Sequence, residues 1–449
     1  MKFWRVELKE KLFFDNSVSK AIIAVSSVVL GVLLILLGKV HSGTEILAKT
    51  HRADLSDPIS NWITQLFRKA IAGTPGLLSS RVRTAIHGFP DQIVPTPSTS
   101  RFHSDPSLLL DGCISVLKSP GENERGVLYF YYSYIYPLFL RHFDAHEVAQ
   151  KYHLVIEPSW SGYCDLNILC LTSLRTPVFV GSIEPRDSTF VQSASPDLIP
   201  VSIGGNTWID TRVFRPLPEV TKDLDVICVA AWSGYKRHWA IFRALRELKQ
   251  RGRTVRIALV GYAMELQLSD IRALADQFEV GDCVSLYEKL SSAEVNQLLN
   301  RSKVNLLWSR REGVNRAIIE GMAANVPCIV RAGFNYGFPY PYINKQTGRF
   351  CKEEDLPDCL AYMIDNYQSF SPRDWILSRM TPEHSTAVLN DAVRTRSLEA
   401  GERWTTDLVA KINSLDGLTY YRTEDRQKFD EDYRFLRSMI RASGSRPTD

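Results

Sequence analysis

From Gly126 onward the apolar positions fall into short runs, separated by longer stretches where apolar side chains recur every three or four residues. The runs Val127–Ser133, His153–Glu157, Val178–Val180 and Ile199–Ile203 read as strands, and Tyr134–Lys151 and Asp165–Leu174 as helices between them. The rhythm sharpens after Asp225. Asp225–Ala231, Val255–Val260, Cys283–Tyr287 and Val304–Trp308 have strand length. Lys236–Gln250, with Ile241, Phe242, Leu245 and Leu248 on one face, Glu265–Phe278 and Asp355–Tyr367 have helical spacing. Gly252 stops the first of these helices, and Ser291-x-x-Glu294 is a capping box for a helix running to Asn300. Strands alternating with helices predict a doubly wound parallel sheet, with ligands gathering beyond the carboxyl ends of its strands.

The ends of the chain depart from this rhythm. Residues 1–19 are a polar, basic tail with Lys2, Arg5, Lys9 and Lys11. Ala21–Gly38 then runs without a charge between Lys20 and Lys39. As a helix it is about 27 Å long, enough to cross a thin bilayer, so residues 20–39 are expected to be a transmembrane signal anchor. A cleaved signal peptide would have a shorter apolar region, and a buried soluble helix would carry polar positions. The basic residues favour an inward N-terminus and an exported remainder, which fits a single-pass type II protein of the Golgi or endoplasmic reticulum; the side of the catalytic part stays open. The sequon Asn300-Arg301-Ser302 would agree with a lumenal site. Residues 40–120, with Thr74-Pro75-Gly76 and Pro95-Thr96-Pro97, read as a stem in which Ile59–Ile71 is an amphipathic helix. Residues 371–449 are charged and helical, ending in a loose Gly444–Asp449.

With 449 residues the chain exceeds one core, so two domains are expected, at 121–218 and 219–370. A net charge of +4 is too small to argue for nucleic acid. The eight cysteines form no C-x-x-C pair, which indicates neither a zinc site nor a disulfide framework, and Cys164, Cys170, Cys228, Cys283, Cys328 and Cys359 read as core residues; no D-x-D follows a strand, so no metal is expected.

The chemistry concentrates after Trp308. Glu312 falls in the loop that ends the Val304–Trp308 strand, and Glu320 lies in the helix that follows, with seven residues between them. Gly313, Val314, Asn315 and Arg316 open that helix, and backbone N–H groups at a helix start are a natural seat for phosphate. The wording Glu312-Gly313 … Glu320-Gly321-Met322-Ala323-Ala324-Asn325-Val326-Pro327 resembles the E-x7-E motif of retaining glycosyltransferases of the GT-B fold, family 4 most closely. Asp210, Phe214 and Pro216 keep the spacing of the bridge between the two domains of that family.

The resemblance, covering Gly126 to Phe370, implies two Rossmann-like domains with a cleft between them, the first for the acceptor and the second for the nucleotide sugar. It implies a late helix, Pro382 to Ile412, that returns to the first domain. Glu312 would hold the donor sugar, Glu320 the ribose, and the amides of Val314, Asn315 and Arg316 the phosphates. Lys236 aligns with the lysine that neutralises the diphosphate, while the arginine that accompanies it is here Ala231; Arg237, Arg311 or Arg316 are the candidates to replace it. Tyr287, at a strand end, is a candidate for the base. Trp160, Ser161, Gly162, Tyr163, Glu184, Arg186 and Asp187 could line the acceptor side. The implied reaction moves a sugar from a UDP- or GDP-linked donor, which is substrate rather than cofactor, to a glycan, lipid-linked or protein acceptor at a membrane. The missing arginine keeps a degenerate scaffold in a polysaccharide-assembly complex as the alternative, and a sugar-nucleotide epimerase fits the motif poorly.

Overall fold

In the computed structural model, which describes residue 8 and residues 16–159, 162–333, 340–414 and 417–441, the chain divides into two units. One comprises residues 209–381, and the other residues 16–208 together with 382–441. The basic residues Lys2, Arg5, Lys9 and Lys11, the acceptor-side candidates Trp160 and Ser161, and the Gly444–Asp449 end lie outside the described residues.

The unit 209–381 is built on a six-stranded sheet of β6 (Leu224–Val229), β7 (Ile257–Gly261), β8 (Val284–Glu288), β9 (Ser302–Leu307), β10 (Cys328–Arg331) and β11 (Gly348–Cys351). The spatial order is β11-β10-β9-β6-β7-β8 and every pairing is parallel. The crossovers include α8 (His238–Gln250), α9 (Leu268–Gln277), α10 (Ser292–Arg301), α11 (Arg316–Ala323) and α12 (Leu356–Asn366). The core runs through Val226, Leu259, Leu306 and Ile329 of the strands and Phe242, Leu245, Ile271 and Leu360 of the helices. Each such side chain contributes roughly 1.5–3 kcal/mol when withdrawn from water.

The second unit carries a five-stranded sheet of β1 (Ile114–Lys118), β2 (Gly126–Phe130), β3 (Tyr152–Ile156), β4 (Val178–Gly181) and β5 (Leu198–Val201), in that order. Only β1 runs antiparallel. Its helices include α5 (Ile135–His142), α6 (Ala145–Lys151) and α7 (Pro185–Ala194). Two parallel α/β sheets of this kind are the composition of the GT-B fold.

The region expected as a stem is not a linker. It folds into α2 (Val40–Ala53), α3 (Asp57–Ile71) and α4 (Leu77–His87), preceded by α1 (Ser17–Leu36). Leu47, Ile63, Phe67, Val82 and Ile86 from these helices enter the same core as Val127, Leu154 and Val191. The loop signals at Thr74-Pro75-Gly76 mark a tight connection between packed helices, with Gly73 and Gly76 at positive φ. The C-terminal segment also returns to this unit. Its helix α13 (Pro382–Glu399) ends before the expected Ile412, and the chain continues as a hairpin of β12 (Lys411–Ser414) and β13 (Gly417–Tyr420), then α14 (Asp430–Ser438).

Candidate active site

The loops after β6 and β9 are the centre of the site, because these strands are neighbours in the middle of the sheet. After β6 the chain passes Ser233 and makes a single tight turn over Gly234–Lys236, closed by Lys236 N–H to the Ser233 carbonyl at 3.1 Å. After β9, Arg310 N–H donates to the Tyr235 carbonyl at 2.8 Å and ties the two loops together. That tie brings Lys236 Nζ onto Glu312 Oε1 in a buried ion pair, the two residues 8% and 6% exposed. Burial opposes the charge on Lys236, but the Glu312 carboxylate overrides it and raises its pKa, so the ammonium is held. The Tyr235 ring lies beneath both Lys236 and Arg311, at 5.1 and 5.2 Å. Ser233 Oγ and Ser309 Oγ, on the two loops, are buried without a hydrogen-bond partner among the described residues.

The helix α11 is held against β9 by a close approach. A Cβ on Gly321 would stand 2.2 Å from Asn305 Nδ2, and that amide donates to the Ala317 carbonyl at 2.9 Å. Asn315 caps the start, its Oδ1 accepting from Ile318 N–H at 3.1 Å. Asn325, at φ +62, ends the helix: Asn325 N–H donates to the Met322 carbonyl and Val326 N–H to the Gly321 carbonyl, both at 2.9 Å. Gly313, Val314, Asn315 and Arg316 therefore form the turn between β9 and α11, and the Gly313 carbonyl accepts from the Tyr340 hydroxyl. Glu320 is buried. Burial raises its pKa, and Arg316 at 2.6 Å works against that shift.

Two candidates have partners outside the two central loops. Arg237 takes the left-handed conformation at φ +59, and its guanidinium joins Arg243 and Arg331 around Glu353 instead of standing beside Lys236. Burial first, then the neighbouring Arg331, lowers its pKa to about 10, with Glu353 opposing. Tyr287 is half-buried on β8, separated from β9 by β6 and β7, and it neighbours Arg301 of α10. Of the other two proposed replacements for the family arginine, Arg316 holds Glu320 and Arg311 lies over the Tyr235 ring. The sequon fails as a glycan acceptor: Asn300 is buried, its Nδ2 donates to the Arg215 and Asn296 carbonyls at 2.9 Å, and its Oδ1 accepts from Leu217 N–H at 2.7 Å.

In the other unit the acceptor-side candidates hold the fold. Asp187 accepts the backbone N–H groups of Gly162 and Tyr163 at 2.8 and 2.9 Å, and burial raises its pKa. The Tyr163 hydroxyl donates to the Gly181 carbonyl at 2.8 Å. Arg186 binds Asp54 at 3.1 Å, and Glu184 is buried at the start of α7. Tyr235 and Tyr340 were not legible as site residues. Tyr235 had a signal in its place beside Lys236; Tyr340 reaches the turn at Gly313 only through long-range folding.

Residues 210–369 match the family model described as Glycosyl transferases group 1. No curated protein matches the chain. Among solved structures, sucrose-phosphate synthase from Thermosynechococcus elongatus is 14% identical, with 62% of this chain and 74% of that one covered and a TM-score of 0.48. Anabaena HepE, solved with UDP and glucose, is 13% identical over 58% and 82%, with a TM-score of 0.45. The C-terminal domain of a Francisella tularensis group 1 glycosyl transferase, LpcC, is 15% identical over 38% and 98%, with a TM-score of 0.34. The family match falls wholly within the unit that carries Lys236, Glu312 and Glu320. The likeness to group 1 glycosyl transferases therefore lies in this one unit.

Proposed function

We propose that the protein transfers a sugar, with retention, from a nucleoside-diphosphate donor to a glycan, lipid-linked or protein acceptor, and that α1 attaches it to a membrane. The observation that carries this reading is the buried Lys236–Glu312 pair at the carboxyl ends of the two central strands. A lysine there can neutralise the diphosphate as leaving-group charge builds, and such preorganised cations act most strongly where water is excluded. The start of α11 adds backbone N–H groups and the positive end of its dipole. Glu312, next to the cation, orients the donor sugar through its hydroxyls, and Glu320 receives the ribose. UDP in a relative such as HepE supports a nucleotide of this kind.

A scaffold role has its own observation. Ala231 offers no cation, and Arg237 and Arg316 both hold carboxylates of the protein. One experiment separates the two readings. The purified protein is incubated with a panel of UDP- and GDP-sugars and an extract of glycans and lipids, and transfer is followed by mass spectrometry. Transfer that is lost in Glu312→Gln supports the enzyme. Nucleotide-induced thermal stabilisation with no transfer or hydrolysis of any donor would leave the scaffold.

A further inference from the structure

Helix α1 is long and apolar enough to cross a membrane, yet it is not a bare rod. It turns Ala24, Gly31 and Ile35 into the protein. Val18, Ile22, Val25, Val29, Leu33 and Leu36 stay outside, each between 45% and 66% exposed. These six recur at steps of three or four residues and so form one stripe along the whole helix. The inner stripe is covered by α2, which folds back on it through a turn at Gly38, φ +85. The contact is backbone-close: a Cβ on Gly43 would stand 2.4 Å from the Gly31 carbonyl oxygen. Arg81 of α4 donates to the Ile35 and Leu36 carbonyls at 2.7 and 2.8 Å and fixes the helix's carboxyl end to the rest of the unit.

The covering helix cannot follow α1 into hydrocarbon. Its outer face carries the ion pair Glu45–Lys49 at 2.7 Å, with side chains 53% and 65% exposed. A spanning α1 would either drag these charges into the bilayer or tear away from α2 and lose the Arg81 cap. A helix lying flat meets neither difficulty: its outer stripe dips about 5–10 Å below the head groups while α2 stays above. A bilayer is the fitting cover for this stripe, because the run Ala21–Gly38, which carries most of it, holds no charge and is bracketed by Lys20 and Lys39.

We propose that α1 is an in-plane membrane helix, which seats the chain on one face of a lipid bilayer and leaves the residues before and after it on the same side. The proposal rests on the reading that α1 is the membrane attachment, and the test separates the two. The full chain is expressed with a different epitope at each end, and sealed membrane vesicles are treated with protease. An in-plane helix leaves both epitopes digested or both protected. Replacing Val25→Glu and Val29→Glu together should lower the membrane-bound fraction at least tenfold while the soluble protein keeps its helical circular dichroism. Membrane-bound protein with only one epitope protected overturns the in-plane arrangement and leaves attachment standing. Protein that stays off membranes, that loses its N-terminal epitope to a signal peptidase, or that pairs into dimers through this stripe without binding lipid overturns both.

Discussion

Glu157 and Glu312 are the same kind of residue in comparable places. Glu157 directly follows the internal parallel strand β3 and Glu312 lies in the loop that leaves the internal parallel strand β9, and they are 5% and 6% exposed. Their partners differ. Glu157 accepts from the Tyr129 hydroxyl, from Asn413 Nδ2 at 2.9 Å and from Lys411 Nζ at 3.3 Å. The lysine is itself enclosed by the Tyr129 and Trp208 rings, both 4.1 Å away. Glu312 receives Lys236, and the loops beside it carry two serine hydroxyls with no partner among the described residues. A carboxylate has about four acceptor positions, so Glu157 is close to saturated and Glu312 keeps capacity. Equal burial therefore separates a clamp, which pins the C-terminal hairpin to its sheet, from a group that can still take a ligand.

The largest effect expected is at Lys236 and Glu312. Glu312→Gln should lower sugar transfer by about 10²–10³, the usual loss when a preorganised electrostatic group is removed. It also leaves the Lys236 charge buried without its counter-charge, which costs about 3–5 kcal/mol when a buried pair is broken from one side. The double change Lys236→Met with Glu312→Leu removes both charges and should recover most of that stability with no recovery of transfer. Thermal melts beside a transfer assay measure the two separately. Activity returning along with stability would mean that the pair is a clamp like Glu157.

Glu157→Ala is the converse. It removes the counter-charge of the buried Lys411, which still donates to Asn413 Oδ1, so stability should fall by about 3–5 kcal/mol, while transfer per folded molecule stays at the wild-type level. Urea denaturation followed by the Trp208 environment reports the first, and turnover normalised to native protein reports the second. A fall in turnover per folded molecule larger than tenfold would sink the distinction between the two glutamates.

The difference between these two carboxylates was only half visible in the chain. Alternating apolar runs were enough to place β6 to β9 and the helices between them, because each element is encoded within its own window. Glu312, Glu320 and Lys236 could be singled out as candidates because they sit at fixed distances from strand ends. The clamp could not: Glu157 meets Lys411 and Asn413 across more than 250 residues. Arg237 was misjudged for a similar reason. It is adjacent to Lys236 in sequence, but the left-handed turn sends its side chain toward Glu353, 116 residues away. The stem misled through composition. Its prolines and threonines are loop signals, yet the helices between them are amphipathic, and whether such helices hang free or pack is decided by a partner surface elsewhere in the chain.

Gly321 sharpens the comparison on the side of the site. The clash of an added Cβ with Asn305 would push α11 away from β9 and carry Glu320 and the Val314–Arg316 turn with it. Gly321→Ala should cost about 1–3 kcal/mol of stability, as overpacking does. It should also raise the KM for the donor more than it lowers kcat, because the turn is read here as a binding element. Titrating donor at fixed acceptor measures both. A variant with unchanged KM would remove the α11 turn from the donor site.

The smallest effect belongs to the clamped unit and acts through protons. His51 is buried against Phe190, with ring centroids 4.8 Å apart, and its Nε2 lies 3.0 Å from Thr64 Oγ1. Burial, reinforced by the Arg186 charge, lowers its pKa to about 4 from the ordinary 6.5. The folded protein keeps the ring neutral down to that value, whereas the unfolded chain protonates it below 6.5. Between these two values the unfolded state binds more protons, so stability falls as the pH drops from 6.5 toward 4. At pH 5 the loss from this one ring is about 1–2 kcal/mol. His51→Gln cannot titrate and should show that much less acid destabilisation between pH 7.5 and pH 5, whatever its stability at neutral pH. Urea midpoints for both proteins at the two pH values test this, and parallel losses in wild type and variant would mean that His51 is already charged in the native fold.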